Sequence, residues 1–118
     1  MKYKALSIVA PHGQNIKNGL KTLEIRSWYP TSFPLKDLMI VENRHYLYQD
    51  GDEDEGFAVA LVDVETVHEW QKDEIQQACA TYWSEGYFAW TLSNIRLIDP
   101  PIKTQAKRKI YLIEVDYP

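Results

Sequence analysis

Three ionisable side chains of alternating sign stand close together near the start of the chain: Lys21, Glu24 and Arg26. An arginine offers planar, forked donors that suit a phosphate group or the edge of a base. A lysine can neutralise a phosphate, or transfer a proton when it is partly removed from water. A glutamate can accept a hydrogen bond from an amino group, orient the lysine or act as a general base. The spacing therefore predicts a site for a polar or anionic ligand, with Lys21 and Glu24 as the candidate catalytic pair.

A short strand around Leu23 must position these side chains. Because successive strand residues point to opposite faces, Leu23 and Ile25 are expected to face the core. The other face then carries the polar side chains, namely Thr22, Glu24 and Arg26, with Lys21 at the start of the strand. We expect these groups to line one concave surface, where Thr22 positions the ligand; the less favoured alternative is that its hydroxyl attacks a carbonyl after activation by Lys21. The alternative is a surface ion-pair network, which typically contributes only ~0–1 kcal/mol.

The segment around this strand resembles the ASCH family, small RNA-associated domains with a PUA-like fold. The most specific match is the motif Gly19-x-Lys21-Thr22-x-Glu24-x-Arg26-Ser27. Weaker matches lie at Ala5-Leu6-Ser7-Ile8, Pro11, Ala89-Trp90-x-Leu92 and Pro100-Pro101-Ile102. The resemblance covers most of the chain and implies a domain that binds RNA or a modified nucleoside.

The resemblance also implies further ligand-binding residues. Trp90 falls in the later motif and is the first choice for a ring that stacks on a base. Asn43 and Arg44 stand where the family often has a small polar residue and a basic one. His12 occupies the position at which many relatives have an aromatic residue. A polar turn at Asn43 and Arg44, and a packing role for His12, are equally open interpretations.

Some ASCH relatives look like nucleoside amidohydrolases, and the chain departs from them at one position. Those relatives carry a hydroxyl residue where this chain has Glu24, so the resemblance favours binding over that mechanism. They also use an acidic residue from the later half of the domain, for which this chain offers Glu65, Glu69 and Glu74. If the protein is an enzyme, it is expected to hydrolyse an amide bond in an acylated nucleoside such as N4-acetylcytidine, or another nucleic-acid bond. A protein-interaction module without a ligand is the third alternative.

Composition limits the partners and cofactors. The net charge is −4, with five acidic residues between positions 50 and 55, which argues against a broad non-specific coat on nucleic acid. The three histidines and the lone Cys79 lack the spacing of metal ligands, so no metal is expected. We find no Walker phosphate loop and no dinucleotide fingerprint, so no cofactor is expected. A single cysteine and the lack of an export signal or a long apolar run predict a cytoplasmic protein without a membrane segment.

The pattern of elements predicts one domain over residues 1–118. Strands are expected near residues 3–9, 23, 38–42, 56–68, 86–98 and 108–115, with Pro100-Pro101 interrupting the last two. Helices are expected between Pro11 and Gly19 and, on an amphipathic pattern, over 73–82. The predicted fold class is α+β, a PUA-like mixed β-barrel of about five or six strands with two short helices.

Overall fold

A mixed β-sheet dominates the computed structural model, which describes residues 1–117. Within that range the six strands are β1 (Lys2–Val9), β2 (Leu23–Arg26), β3 (Leu35–Asn43), β4 (Glu53–Glu69), β5 (Phe88–Lys107) and β6 (Ile110–Glu114). Their order in the sheet is β2-β5-β4-β3-β1-β6, and β1 and β3 run parallel while the other neighbours are antiparallel. One α-helix, α1 (His12–Lys17), connects β1 to β2.

The sheet has the expected number of strands but is open, so the expected barrel is not confirmed. Between residues 1 and 117 no ladder joins the edge strands β2 and β6. Because β6 is short, it pairs with β1 only as far as Leu6 and leaves the last three residues of β1 without a partner on that side. The Arg26 side chain spans this gap, where its Nη2 donates to the Ser7 carbonyl oxygen at 2.9 Å. The sheet therefore curls towards closure, and a side chain rather than a ladder bridges the opening.

The second predicted helix is wrong. Its segment forms only a 3₁₀ turn at Lys72–Glu74, followed by further turns. Gln71 and Glu74 form a capping box that starts the turn, but Cys79 adopts a left-handed φ of 54° that an α-helix does not accommodate. Trp83 Nε1 donates to the Trp70 carbonyl oxygen at 2.9 Å and holds the segment in its irregular course.

Strand β5 runs through Pro100 and Pro101, where an interruption was expected. The pairing of β4 with β5 jumps from Ala60 opposite Leu97 to Ala58 opposite Ile102. The extra residues of β5 form a bulge at this jump, so no ladder hydrogen bond is required from either proline. The bulge explains how two residues without an N–H group are accommodated inside a long strand.

Alternate residues of β3 supply two separate apolar clusters. Leu38 and Ile40 pack in one with Trp90, whereas Met39 and Val41 pack in another with Ile98. Burying each such aliphatic side chain stabilises the fold by roughly 1.5–3 kcal/mol. A third, smaller cluster lies under the 70–83 segment and consists of Leu23, Trp70, Ala78 and Ala89. The sheet is therefore buried on both faces in its centre, and the third cluster covers the outer face of β2.

Candidate functional site

A cavity of about 350 Å³ lies where β2 faces the unpaired end of β1. Its wall includes Lys21, Glu24 and Arg26 from the motif, together with Ser7 to Val9 of β1. The volume is at the lower end of the range for small-molecule sites, roughly 300–1,000 Å³. The three ionisable side chains thus line one concave surface as expected.

The face of β2 that carries the charges is the one that points towards the main core. Glu24 lies directly opposite Trp90 of β5, and Arg26 lies opposite Phe88. Since paired residues of antiparallel strands project to the same side, Glu24 shares its face with the main apolar cluster. Leu23 and Ile25 do contact a core, but it is the third cluster under the 70–83 segment. The polar face is consequently the inner one.

Glu24 is only 6% exposed, and two cations hold its carboxylate. Its Oε1 lies 3.2 Å from Lys21 Nζ. Its Oε2 accepts hydrogen bonds from Arg26 Nε at 2.9 Å and from Nη2 at 2.7 Å. Burial by itself would raise the pKa of Glu24, but attraction to Arg26 and then Lys21, with hydrogen bonds from both, holds that pKa below its ordinary value. The carboxylate is therefore ionised at neutral pH and acts only as an acceptor.

Lys21 is buried beside Glu24, and the end of α1 places it there. Gly19 adopts a φ of 76°, and the Lys21 amide then donates to the Asn15 carbonyl oxygen at 3.0 Å. The Nζ group donates to the Ala78 carbonyl oxygen at 2.6 Å and contacts Glu24. Because an ammonium has three hydrogens, one of them has no partner among residues 1–117.

Arg26 retains donor capacity on the wall of the cavity. The contacts to Glu24 and Ser7 use Nε and Nη2. Within residues 1–117, Nη1 has no hydrogen-bond partner, so two of the five guanidinium hydrogens are unused.

His12 begins α1 and also lines the cavity. A side chain at Gly13 would approach Glu42 to 2.6 Å, so glycine allows this close packing of α1 on β3. Burial, and after it the charge of Lys21, lowers the pKa of His12. Its Nδ1 is buried without a hydrogen-bond partner among the described residues. A neutral imidazole with an unused nitrogen therefore borders the Lys21–Glu24 pair.

Three of the other predicted ligand-binding residues lie outside the cavity wall. Trp90 is fully buried and packs edge-on against Trp28, with ring centroids 5.0 Å apart, so the expected stacking role is corrected to one in the core. Thr22 uses its backbone to pair with Gln77 and Leu92. Arg44 is exposed beside the cavity, and its amide donates to Asp54.

Asn43 does line the cavity, but its amide group serves the following loop. Its Nδ2 donates to the His45 carbonyl oxygen at 2.6 Å and contacts Asp54 Oδ2 at 3.2 Å. The residues on the cavity wall that the sequence did not predict include Tyr46, Lys107 and Lys109. The basic run 107–109 was the available signal for the two lysines, whereas nothing in the sequence separated Tyr46 from the many other rings.

None of the three later acidic candidates joins Lys21 on the wall of this cavity. Glu65 pairs with Lys36, and Glu74 pairs with His68 at 2.8 Å. Glu69 is exposed on a different surface. In residues 1–117 no group of three or more histidine, cysteine or acidic side chains could hold a metal ion.

No helix in the described part of the chain is long and apolar enough to cross a membrane.

Comparisons with known proteins give the family. A search of curated proteins found no significant match. The sequence model of the ASCH domain matches residues 6–102, which is well over half of the chain and contains the whole Lys21–Arg26 motif. That family is consistent with a PUA-like, nucleic-acid-binding domain, and the chain belongs to the ASCH domain family.

Proposed function

We propose that the protein binds RNA, or a modified nucleoside within it, in the cavity between β1 and β2. The observation that carries this proposal is the ionised Glu24 carboxylate, held between Lys21 and Arg26 on the wall of that cavity. The Glu24 carboxylate is an acceptor, and Lys21 and Arg26 beside it have unused donors. This combination matches the edge of a nucleobase, which carries both donors and acceptors. Carboxylates accept hydrogen bonds from the amino group of cytosine, and arginine donates to guanine oxygen and nitrogen atoms.

The charge distribution supports a local site. The chain carries a net charge of −4, so its whole surface does not attract a polyanion. Lys107 and Lys109 nevertheless stand on the rim of the cavity, where they could neutralise a phosphate attached to the bound nucleoside. We therefore attribute affinity to the cavity and its rim.

Amide hydrolysis of an acylated nucleoside is the second candidate function. It is favoured by the contact of 3.2 Å between Lys21 Nζ and Glu24 Oε1 inside a concave cavity. It is opposed by the position of Thr22, the nearest hydroxyl in the motif, outside the cavity wall. None of Glu65, Glu69 and Glu74 completes the site either. A module that binds only proteins is less well supported, because the cavity is not filled by the domain's own side chains.

A matched pair of arginine variants tests binding. Arg26→Lys keeps a cation near Glu24 but removes the unused Nη1 donors, whereas Arg96→Lys changes an arginine that also pairs with a buried carboxylate at 2.7 Å, outside the cavity. Charge-assisted hydrogen bonds contribute roughly 1.5–3 kcal/mol, so Arg26→Lys should weaken binding by about 10- to 150-fold. Arg96→Lys should bind as the wild type does.

The measurement is calorimetric titration at fixed salt with the four ribonucleoside 5′-monophosphates and N4-acetylcytidine. Thermal unfolding of both variants establishes that each is folded. Equal affinities of the two variants, or no binding by the wild-type protein, would contradict the proposed site.

Lys21→Arg separates binding from catalysis. An arginine retains the positive charge but stays protonated, so it cannot act as a base. If the protein only binds, the wild type should release no acetate from N4-acetylcytidine, and Lys21→Arg should largely keep its affinity. Saturable acetate release by the wild type that Lys21→Arg abolishes would establish the hydrolase alternative.

A further inference from the structure

We propose that the cavity continues into a second, tyrosine-lined cavity, and that the two together take adjacent nucleotides of a single strand. One base lies against Glu24, and the neighbouring base stacks on Tyr46. This inference rests on the proposed function and adds to it the minimum length of the ligand and the residue that stacks.

The two cavities share a wall. The second has a volume of about 440 Å³ and is lined by Tyr82 and Tyr87 among others. His12, Ile25 and Tyr46 line both cavities. The shared residues place the two cavities side by side, with the Lys21–Glu24 pair in the first, Tyr46 at the boundary and the other two tyrosines in the second. The proposed groove runs along this line.

Tyr46 is 67% exposed, yet hydrogen bonds to aspartate side chains hold the backbone of its loop on both sides. On one side, Asp54 Oδ2 accepts the amide of His45 at 3.2 Å. On the other, Asp52 Oδ2 accepts the amides of Tyr48 at 2.9 Å and Gln49 at 3.0 Å. A tyrosine held in this way offers a large contact area at a low cost in conformational entropy. Aromatic side chains with a free face stack on nucleobases with little dependence on base identity.

The two ends of the groove differ in charge. Lys107 and Lys109 line the first cavity, while the second carries tyrosines. Lys107 Nζ lies 3.6 Å from Glu53, but both side chains are about half exposed, so this ion pair contributes little and can yield to a phosphate. This arrangement matches a single nucleic-acid strand whose phosphates lie at the basic end and one of whose bases lies at the aromatic end. Both features are typical of proteins that bind single strands.

Four ligands and three variants test the inference by calorimetric titration at fixed salt. The ligands are a ribonucleoside monophosphate, the dinucleotide that extends it, the same dinucleotide without its second base, and the deoxyribose form. Stacking contributes ~1–3 kcal/mol per base, so the complete dinucleotide should bind about 5- to 150-fold more tightly than the one that lacks the second base. The deoxyribose form measures how much of this gain depends on the 2′-hydroxyl group.

Tyr46→Leu should abolish the gain from the second base, and Tyr46→Phe should retain it because the ring remains. Tyr29→Leu is the matched control, since Tyr29 is 50% exposed, packs against Phe88 and lines neither cavity. It should bind as the wild type does. A gain that survives Tyr46→Leu, or that both leucine variants lose equally, would overturn the stacking role.

The two proposals fail in different ways. If the monophosphate binds with an affinity that depends on Arg26 and the second base adds nothing, this inference is wrong and the proposed function stands. If the wild-type protein binds neither the monophosphate nor the dinucleotide, both are wrong.

Discussion

Two buried carboxylates, Glu24 and Asp63, have similar immediate surroundings. They are 6% and 5% exposed, respectively. Each lies 2.7 Å from the Nη2 atom of an arginine, Arg26 for Glu24 and Arg96 for Asp63. Each also has a lysine nearby, since Lys36 Nζ is 3.8 Å from Asp63. Judged by burial and pairing alone, the two clusters are equally good candidates for a site.

They differ in what their partners do for the fold. Asp63 accepts the backbone amide of Asp37 and the side-chain amide of Asn94, each at 3.0 Å. Both partners have left-handed backbone angles, with φ of 55° and 48°, and both lie at register shifts that flank β4. Asp63 therefore stabilises two irregularities of the sheet, one in β3 at Asp37 and one in β5 at Asn94. Glu24 instead contacts the side chains of Lys21 and Arg26 and lies on the wall of a cavity.

The comparison shows which properties identify a site. The pKa of Asp63 is also lowered: burial would raise it, and the hydrogen bonds from Asp37 and Asn94 and the charge of Arg96 outweigh that effect. A shifted pKa consequently marks the structural cluster and the candidate site alike. What distinguishes the two carboxylates is the cavity: Glu24 and Arg26 line it, whereas neither Asp63 nor Arg96 lines a cavity found among residues 1–117.

The largest expected effect comes from removing a lysine. Lys21→Met takes a buried cation from Glu24 and should lower the free energy of unfolding by about 3–5 kcal/mol, the range for breaking a buried pair. Lys36→Met is the matched control. The side chain of Lys36 is 56% exposed, and we expect little change. Denaturant unfolding at pH 7 measures the free energy of unfolding of both variants. If both lose a similar amount, the Lys21–Glu24 pair stabilises the fold no more than an exposed ion pair does.

Acid titration sharpens the comparison. The folded-state pKa of Glu24 lies below its ordinary value of 4.5, so its contribution to stability is present above that value and is lost as the pH falls through the lowered pKa. Asp63 behaves in the same way below its ordinary value of 3.8. Glu24→Gln and Asp63→Asn should each flatten the loss of stability in acid. Only Glu24→Gln should also weaken nucleotide binding at pH 7, and a loss of affinity in both variants would remove the distinction between the two clusters.

Strand alternation predicted the grouping of Lys21, Glu24 and Arg26 because a period of two is a local property of the chain. The sequence could not tell which face of β2 is inner. That depends on the 70–83 segment, which covers Leu23 and supplies a second apolar environment far along the chain. Residues 73–82 of the same segment were predicted to be helical because their apolar residues have the spacing of one helical face. Tertiary contacts of Trp70 and Trp83 instead determine the course of the segment.

Other site residues depended on pairings that a single sequence does not reveal. Trp90 was a reasonable stacking candidate from its motif, yet its position opposite Glu24 in the sheet buries it completely. Asn43 lines the cavity, and its hydrogen bond to the next loop depends on Asp54, eleven residues later. The same loop positions Tyr46 on the wall of the cavity.

The smallest predicted effect concerns His12, which lines the cavity with Glu24. Within residues 1–117, no histidine is hydrogen-bonded or ion-paired to Asp63. Burial and the charge of Lys21 lower its pKa, and the opposing attractions of Glu24 and Glu42 are weaker. The unfolded chain therefore binds the proton more readily, so stability should fall as the pH drops below the ordinary value of 6.5. His12→Gln and His12→Phe should both reduce the difference in unfolding free energy between about pH 7 and pH 5, because neither side chain titrates there. If both variants keep the wild-type pH dependence in denaturant titrations, His12 does not carry it, and the Glu24 site is no more pH-sensitive in this range than the Asp63 cluster.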